Sequence, residues 1–340
     1  MSDFYESSQE VQVDALRELA CDALKQYEGH FTAPELVKYR ENAIFSIYDE
    51  NGRRFALRIH RPNYHSDGAL GSELAWMQSL SDNGLPVPTV QLNRMDQPIT
   101  LAEAAGVPEA RRVDLISWVR GTPLGKIEEE QGLSEHTRRR IYRSIGSLTA
   151  NLHEHANKWA IARDVERPSW FADGLVGEHP LWGRFWDLPA LSVEQKIAIR
   201  DMRDDGRRFL ANYPRHVGNS GLIHADLIAD NMMVDGDVIS PIDFDDAGFG
   251  WHMFDLATTL YFLSEDPHFE SIKTALIDGY RQVRELPDEE VASLPAFLML
   301  RGTTYLGWVA TRGETATARD LAPYLVKRAF SAWEGYRRVS

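Results

Sequence analysis

A chain of 340 residues is long enough for two domains, each with its own buried core. Lys and Arg total 37 against 51 Asp and Glu; the formal charge of −14 would repel nucleic acid and anionic membrane surfaces, so neither is expected as a partner. Cys21 is the only cysteine, which excludes an internal disulfide and a thiolate zinc site, and no apolar run approaches the length of a membrane span.

The opening Met-Ser-Asp-Phe-Tyr-Glu lacks the basic and apolar regions of a secretion signal, so a cytoplasmic protein is expected. Apolar residues at helical spacing predict a helix over 10–28. Three β patterns follow, Leu36 to Arg40, Ala43 to Tyr48 and Arg54 to His60, the last two joined by Asp49-Glu-Asn51-Gly52, a hairpin signal. A helix over about 68–82 ends at the C-cap-like Asn83-Gly84. Residues 87–92 and 112–119 read as further strands, and Gly121-Thr-Pro123 closes this half. Beyond Ser134 the pattern is mostly helical (134–156, 192–212, 252–264, 268–284, 289–311, 318–338), interrupted by a β-rich stretch at 221–246.

That stretch carries the chemistry. His224-Ala-Asp226 leads to Asn231, and Asp243-Phe-Asp245 follows twelve residues after Asn231. An Asp and an Asn five apart, then a second Asp after a strand-turn-strand, is the order a phosphotransferase uses. One Asp takes the proton of the attacking hydroxyl, while the Asn and the later Asp hold the Mg²⁺ that neutralises nucleotide phosphates. Asp226 is the expected base, and Asn231 and Asp243 are the expected hard-oxygen metal ligands. Taken singly, each would be an ordinary turn or strand-end residue. Asp245 could face a second metal or a cationic substrate, whereas Asp246 is expected as a solvated turn residue. Asp255 opens an apolar helix, where capping and the helix dipole would favour it.

A β-rich first half, a short connector and a helical second half holding this motif resembles the kinase-like phosphotransferases. More narrowly, it is similar to the family of aminoglycoside phosphotransferases, choline kinases, type II homoserine kinases and the bacterial stress-response kinase. The resemblance runs from about Tyr39 to about Arg312 and rests on 222–231, 242–250 and Phe254-Asp255-Leu-Ala257. It implies an α+β, bilobal protein-kinase-like fold. Residues 1–119 would form a nucleotide-binding lobe with a hinge near 116–120, and 120–340 a helical lobe with the catalytic loop and acceptor site.

The resemblance also implies ATP and Mg²⁺ as cofactors, His224 bracing the catalytic loop, and Asp255 tying its helix to that loop. A kinase needs a cation on its third strand paired with a Glu on the next helix; the matching residues are Arg58 and Glu73. Arg differs from the usual Lys in fork and reach. His60 and Arg61 are alternatives, with His60 on the face of Arg58 and Arg61 on the other. No G-x-G-x-x-G is present; Glu41-Asn42-Ala43 takes the place of the phosphate-covering loop, where backbone N–H groups could meet phosphate. Ile116-Ser117-Trp118-Val119 matches the hinge, with Ser117 and Val119 toward the adenine edge, though an ordinary strand end reads the same way.

Asp243 to Asp255 spans only twelve residues and no A-P-E follows, so the peptide platform of a protein kinase is missing. The expected partner is a small hydroxylated acceptor, amine-bearing in view of the acidic charge, on a protein that is a monomer or homodimer. Arg301, Tyr305, Trp308 and Arg312 recur on one helical face and could grip an ammonium or a carboxylate. A buried packing stripe with snorkelling arginines has the same spacing. The Trp- and Gly-rich segment 170–186 is either a wall of the acceptor site or a loop packed on the helices. The competing functions are a stress-response-type protein Ser/Thr kinase and a nucleotide-binding pseudokinase; intact Asp226, Asn231 and Asp243 oppose the latter.

Overall fold

The computed structural model describes residues 4–40, 42–160 and 164–340. The chain divides into two compact units, Met1–Arg120 and Gly121–Ser340.

The first unit runs α1 (Gln9–Leu24), β1 (Glu35–Tyr39), β2 (Ala43–Tyr48), β3 (Arg54–Ile59), α2 (Asp67–Asp82), β4 (Val90–Gln91), β5 (Thr100–Ala102) and β6 (Arg111–Ser117). Its antiparallel sheet has the order β1-β2-β3-β6-β4, with β5 also on β6. Successive side chains alternate between faces. Phe45, Ile47, Phe55, Leu57, Ile59, Val113 and Leu115 therefore share one face, packed with Leu16, Leu19, Ala20 and Ala23 of α1. The intervening residues Arg58 and Asp114 fall on the other face, directly opposite each other across β3 and β6.

Two expectations fall short here for local reasons. The first helix ends at Leu24 rather than 28, because the amides of Lys25, Gln26 and Tyr27 bond only three residues back and Gly29 turns left-handed at φ 92°. Of 87–92 only Val90–Gln91 pairs as a strand, since Pro86 and Pro88 have no N–H to give a ladder. In the β2–β3 turn only Gly52 is left-handed, at φ 74°, and the Asp49 carboxylate caps the amides of Asn51 and Arg53. The loop is thus a longer hairpin turn closed by a left-handed glycine, not a two-residue primed turn.

The second unit begins with β7 (Thr122–Pro123), α3 (Leu124–Gln131), α4 (Glu135–Lys158), α5 (Ala172–Val176) and α6 (Val193–Asn212). Then come β8 (Ser220–Ile223), β9 (Met232–Asp235), β10 (Val238–Pro241), β11 (Gly248–Trp251) and α7 (His252–Tyr261). It closes with α8 (Phe269–Arg281), α9 (Asp288–Val291), α10 (Leu294–Thr311) and α11 (Ala316–Arg337). The helix α3 has no counterpart in the sequence reading. The predicted helix 289–311 is split: Pro295 near the start of α10 gives no amide to a preceding turn, so α9 stops and α10 begins anew. α4 and α8 cross closely because Gly146 and Gly279 lack a Cβ; one at either position would run into backbone of the opposing helix. Two small sheets, β10-β9-β7 and β11-β8, are set against these helices and frame the motif. Among the described residues, no helix is long and apolar enough to cross a membrane.

Candidate active site

The motif occupies the segment between β8 and β9 and the segment between β10 and β11. β8 ends at Ile223, and the chain turns sharply through Ala225, which sits in the left-handed region at φ 65°. The turn is pinned from below. Both oxygens of the buried Asp255 accept backbone amides, from His224 at 3.0 Å and Ala225 at 2.7 Å. His153 meets the same carboxylate at 3.0 Å. Asp255 thus ties α7 to the loop, whatever it adds to the helix terminus. Burial pushes its carboxyl up to about 6, against the pull of His224 and the two amides. His224 is fully buried; its Nδ1 accepts the amide of Asp226 at 3.3 Å and its Nε2 faces the carbonyl of Ile242 at 3.2 Å. Burial pulls this imidazole down to about 4, so it is neutral and braces the loop through both nitrogens.

Asn231 and Asp226 are joined directly. Asn231 Nδ2 donates to Asp226 Oδ2 at 2.8 Å and to the Asp226 carbonyl at 3.0 Å. That leaves the Asn231 Oδ1 as the oxygen for a cation. The Ile242 amide donates to the Asn231 carbonyl at 2.9 Å, continuing the β9–β10 ladder and setting the next residue, Asp243, beside the loop. Asp243 is exposed and left-handed at φ 67°. Both residues present hard oxygen, which suits Mg²⁺. No group of three His, Cys, Asp or Glu side chains among the described residues could hold a metal alone, so phosphate and water oxygens would have to complete the sphere.

The segment after Asp243 is organised by a residue the sequence reading missed. Arg167 donates to the carbonyls of Phe244, Asp245 and Ala247. Asp245 is buried. Asp246 departs from expectation: it is not a solvated turn residue. Its Oδ1 accepts the indole N–H of Trp182 at 2.9 Å and its carbonyl that of Trp170 at 2.8 Å. Burial, with the charges of Asp226 and Asp245 close by, raises its carboxyl well above the ordinary range. The segment 170–186 is therefore packed, with Trp170 stacked on Phe254 at 5.5 Å, and also reaches the acidic cluster through Trp182.

The α10 stripe needs correction. Arg301 does not present its charge to an acceptor. It is fully buried, with NH2 2.6 Å from Asp226 Oδ1 and NH1 3.1 Å from the Ala225 carbonyl. Tyr305 is also buried, its hydroxyl 2.9 Å from Arg301. Trp308 is half-buried. Arg312 lies one residue past the end of α10, so it is off the regular helical face; its guanidinium carbon is 5.3 Å from the Trp308 ring. The stripe was half legible: a charge in an apolar helix was visible, its target was not.

In the first unit, Arg58 NH1 meets Glu73 Oε1 at 2.8 Å. Its Nε and NH2 both reach Asp114 at 2.8 Å, and His60 Nε2 adds a 2.6 Å contact to the same carboxylate. Asp114 is the second residue the sequence reading missed; only strand register brings it opposite Arg58. Burial alone would raise its carboxyl, but the charges of Arg58 and His60 override this and hold it down at about 2. Asn42 accepts the Arg61 amide at 3.0 Å; Glu41, grouped with it as phosphate-covering, lies outside the described residues. Ser117 is committed to Thr89, its amide donating to the Thr89 carbonyl and its hydroxyl accepting the Thr89 amide, both at 2.8 Å. The Val119 amide has no hydrogen-bond partner among the described residues, so Val119 has the backbone donor that Ser117 lacks.

Known proteins resemble this chain in sequence and in fold. The homoserine kinase of Allorhizobium ampelinum is 29% identical over 326 residues, covering 90% of this chain and 92% of its own. Among solved structures, a microcompartment-associated aminopropanol kinase superposes with a TM-score of 0.78 at 29% identity, covering 93% of this chain and 95% of the other. The amicoumacin kinase hAmiN, solved with AMP-PNP, Ca²⁺ and Ami, shares the fold with a TM-score of 0.75 at 20% identity, over 95% and 96% of the two chains. The kinase-like α+β fold expected from the sequence is the fold of these proteins. The sequence pattern of the phosphotransferase enzyme family matches residues 35–290, and the chain belongs to that family: it is a small-molecule phosphotransferase with a kinase-like fold.

Proposed function

We propose that this enzyme transfers the γ-phosphoryl group of ATP, with Mg²⁺, to the hydroxyl of a small amine-bearing acceptor such as a hydroxy-amino acid or an amino alcohol. The observation that carries the reading is the Asp226–Asn231 hydrogen bond at 2.8 Å beside Asp243. Asp226 orients the acceptor hydroxyl and takes its proton as the new O–P bond forms and the bond to the leaving ADP oxygen breaks. Asn231 Oδ1 and Asp243 hold the metal, which when bound neutralises the phosphate charge. Nucleotide contacts are assigned to Asn42 and to the backbone at Val119, while the buried Arg58, engaged by Glu73 and Asp114, holds β3, β6 and α2 together; Ser117, with its amide engaged by Thr89, keeps a role through its carbonyl alone.

The carboxylates Asp226, Asp243 and Asp245 support a cationic acceptor, since opposite charges about 4 Å apart attract by roughly 4 kcal/mol at an intermediate dielectric, before desolvation. Trp308 and Arg312 stay as acceptor contacts in this reading, and Tyr305 acts from beneath through Arg301. The relatives named for homoserine and for aminopropanol kinases, both hydroxy-amines, agree with it.

The test is ATP turnover over matched acceptors: homoserine, 1-amino-2-propanol, choline and kanamycin against a neutral diol and a hydroxy-acid lacking the amine. Preferential phosphorylation of the amines is expected, and Asp226→Asn should lower that turnover by about two orders of magnitude. Equal turnover of the diol or the hydroxy-acid rejects the cationic acceptor. Transfer at the original rate in Asp226→Asn rejects the base.

A further inference from the structure

A fully buried guanidinium in an otherwise apolar helix demands an explanation. Taking an arginine out of water costs several kcal/mol, and apolar replacements of buried ion pairs are often neutral or stabilising. Fold stability alone therefore gives α10 no reason to carry Arg301. Its Nε even lacks a partner, so the site is not a fully satisfied structural network. What Arg301 does have is orientation. Its two terminal nitrogens straddle one peptide, touching the Ala225 carbonyl at 3.1 Å and Asp226 Oδ1 at 2.6 Å. The Tyr305 hydroxyl holds NH2 at 2.9 Å, and the rings of Tyr305 and Trp182 lie 4.3 and 4.7 Å from the guanidinium carbon. The cation has no room to swing away.

The other carboxylate oxygen of Asp226 accepts Asn231 Nδ2 at 2.8 Å. Donors thus hold Oδ1 and Oδ2 from different elements, α10 and the catalytic loop itself. A carboxylate held on one side only could rotate about its terminal torsion, which is broad and soft. One held on both sides presents its remaining lone pairs in a single direction.

We propose that Arg301 is a positioning residue for phosphoryl transfer: it fixes the plane of the Asp226 carboxylate, and the left-handed peptide before it, so that the acceptor hydroxyl meets a preset oxygen. The inference rests on the reading of Asp226 as the proton acceptor. It makes the second anchor of that group a residue 75 positions downstream, on a helix that enters no part of the His224–Asn231 motif. Arg301 acts through Asp226 and touches neither acceptor nor nucleotide. Its loss should therefore lower kcat while leaving nucleotide affinity and the KM for ATP where they were.

The experiment compares Arg301→Met, Arg301→Lys, Asp226→Asn and the double variant Arg301→Met/Asp226→Asn. The readouts are kcat and KM with the best amine acceptor of the panel, Mg-ATP affinity by calorimetry, and thermal melting. Misplacement of a catalytic group by about 1 Å costs about a hundredfold, which sets the drop in kcat expected for Arg301→Met. Mg-ATP affinity should stay within about twofold of the parent. Arg301→Lys, which restores the charge but not the fork, should recover part of the rate. In the Asp226→Asn background Arg301→Met should cost nothing further, because groups acting as one unit are not additive. A parental kcat in Arg301→Met, or an equal loss in the Asp226→Asn background, overturns the proposal. If Arg301→Met does not fold, Arg301→Lys decides: reduced kcat with parental melting and nucleotide affinity supports the role, and parental kcat overturns it. A parental rate in Asp226→Asn itself would instead defeat the assignment of the base, and is read separately.

Discussion

Arg58 and Asp114 face each other across β3 and β6 and share two contacts of 2.8 Å, a forked pair in which both partners are buried. Glu73 then holds the remaining terminal nitrogen, so one guanidinium serves two carboxylates on different elements. A lysine carries three donors on a single nitrogen and cannot span both with the same geometry.

Arg58→Lys should therefore destabilise the first unit. Removing one partner of a buried pair costs about 3–5 kcal/mol, and a retained charge softens that to roughly 2. Chemical denaturation would measure it, with Mg-ATP titration alongside. Parental stability in Arg58→Lys would mean that the fork contributes nothing beyond its charge.

The same pair sets an acid limb. Unfolded aspartate titrates near about 4, whereas Asp114 in the folded protein is held at about 2. A depressed folded value means that the stabilisation is complete above about pH 4 and is lost as pH falls toward about 2. The loss should be on the order of 2 kcal/mol, read as a slope of unfolding free energy over that window. Asp114→Asn should flatten it. An identical slope in that variant would assign the limb to other carboxylates.

Asp243→Ala tests the metal. The neutral Asn231 that remains cannot balance a divalent charge, so Mg²⁺ should no longer raise nucleotide affinity. Calorimetry with ATP, with and without Mg²⁺, distinguishes the outcomes; a preserved Mg²⁺ dependence would place the ion on other ligands.

Asp255→Ala should leave the amides of His224 and Ala225 buried without acceptors. Each orphaned group costs about 1–3 kcal/mol, so a large drop in melting temperature is expected. Because Asp255 is pushed up to about 6, its folded form binds a proton that the unfolded chain gives up near about 4. Its contribution therefore declines as pH rises from about 4 to about 6, opposite in sign to that of Asp114. Asp255→Asn should remove this decline, and a variant retaining it would clear Asp255.

What could be read from the sequence was what is local along the chain. Asp226, Asn231 and Asp243 are close in number and lie on a loop and a hairpin whose spacing is fixed by backbone geometry. Arg58 and Glu73 were legible because strand alternation and one helix face place them. Asp114 was not, because period-2 alternation shows which face of the sheet a residue takes but not which residue opposes it; that depends on register. Arg301 was visible as a charge in an apolar helix, but its partner comes from a distant loop. Asp246 misled because turn aspartates are usually solvated, and the indole that meets it arrives from a segment without periodicity. Pro86, Pro88 and Pro295 did mark the boundaries where strand and helix stop, and reading them as donors lost would have shortened both elements.

Ala225 is fully buried, yet it holds a backbone angle of φ 65° that L-residues avoid at a cost of about 1–2 kcal/mol. Burial would ordinarily admit valine or isoleucine at such a site, and the left-handed peptide forbids them. In a saturation library selected for activity, position 225 should consequently behave unlike its apolar neighbours Ile223 and Leu227. Glycine should survive there, β-branched residues should vanish, and the residue that looks most replaceable in the loop should prove among the least.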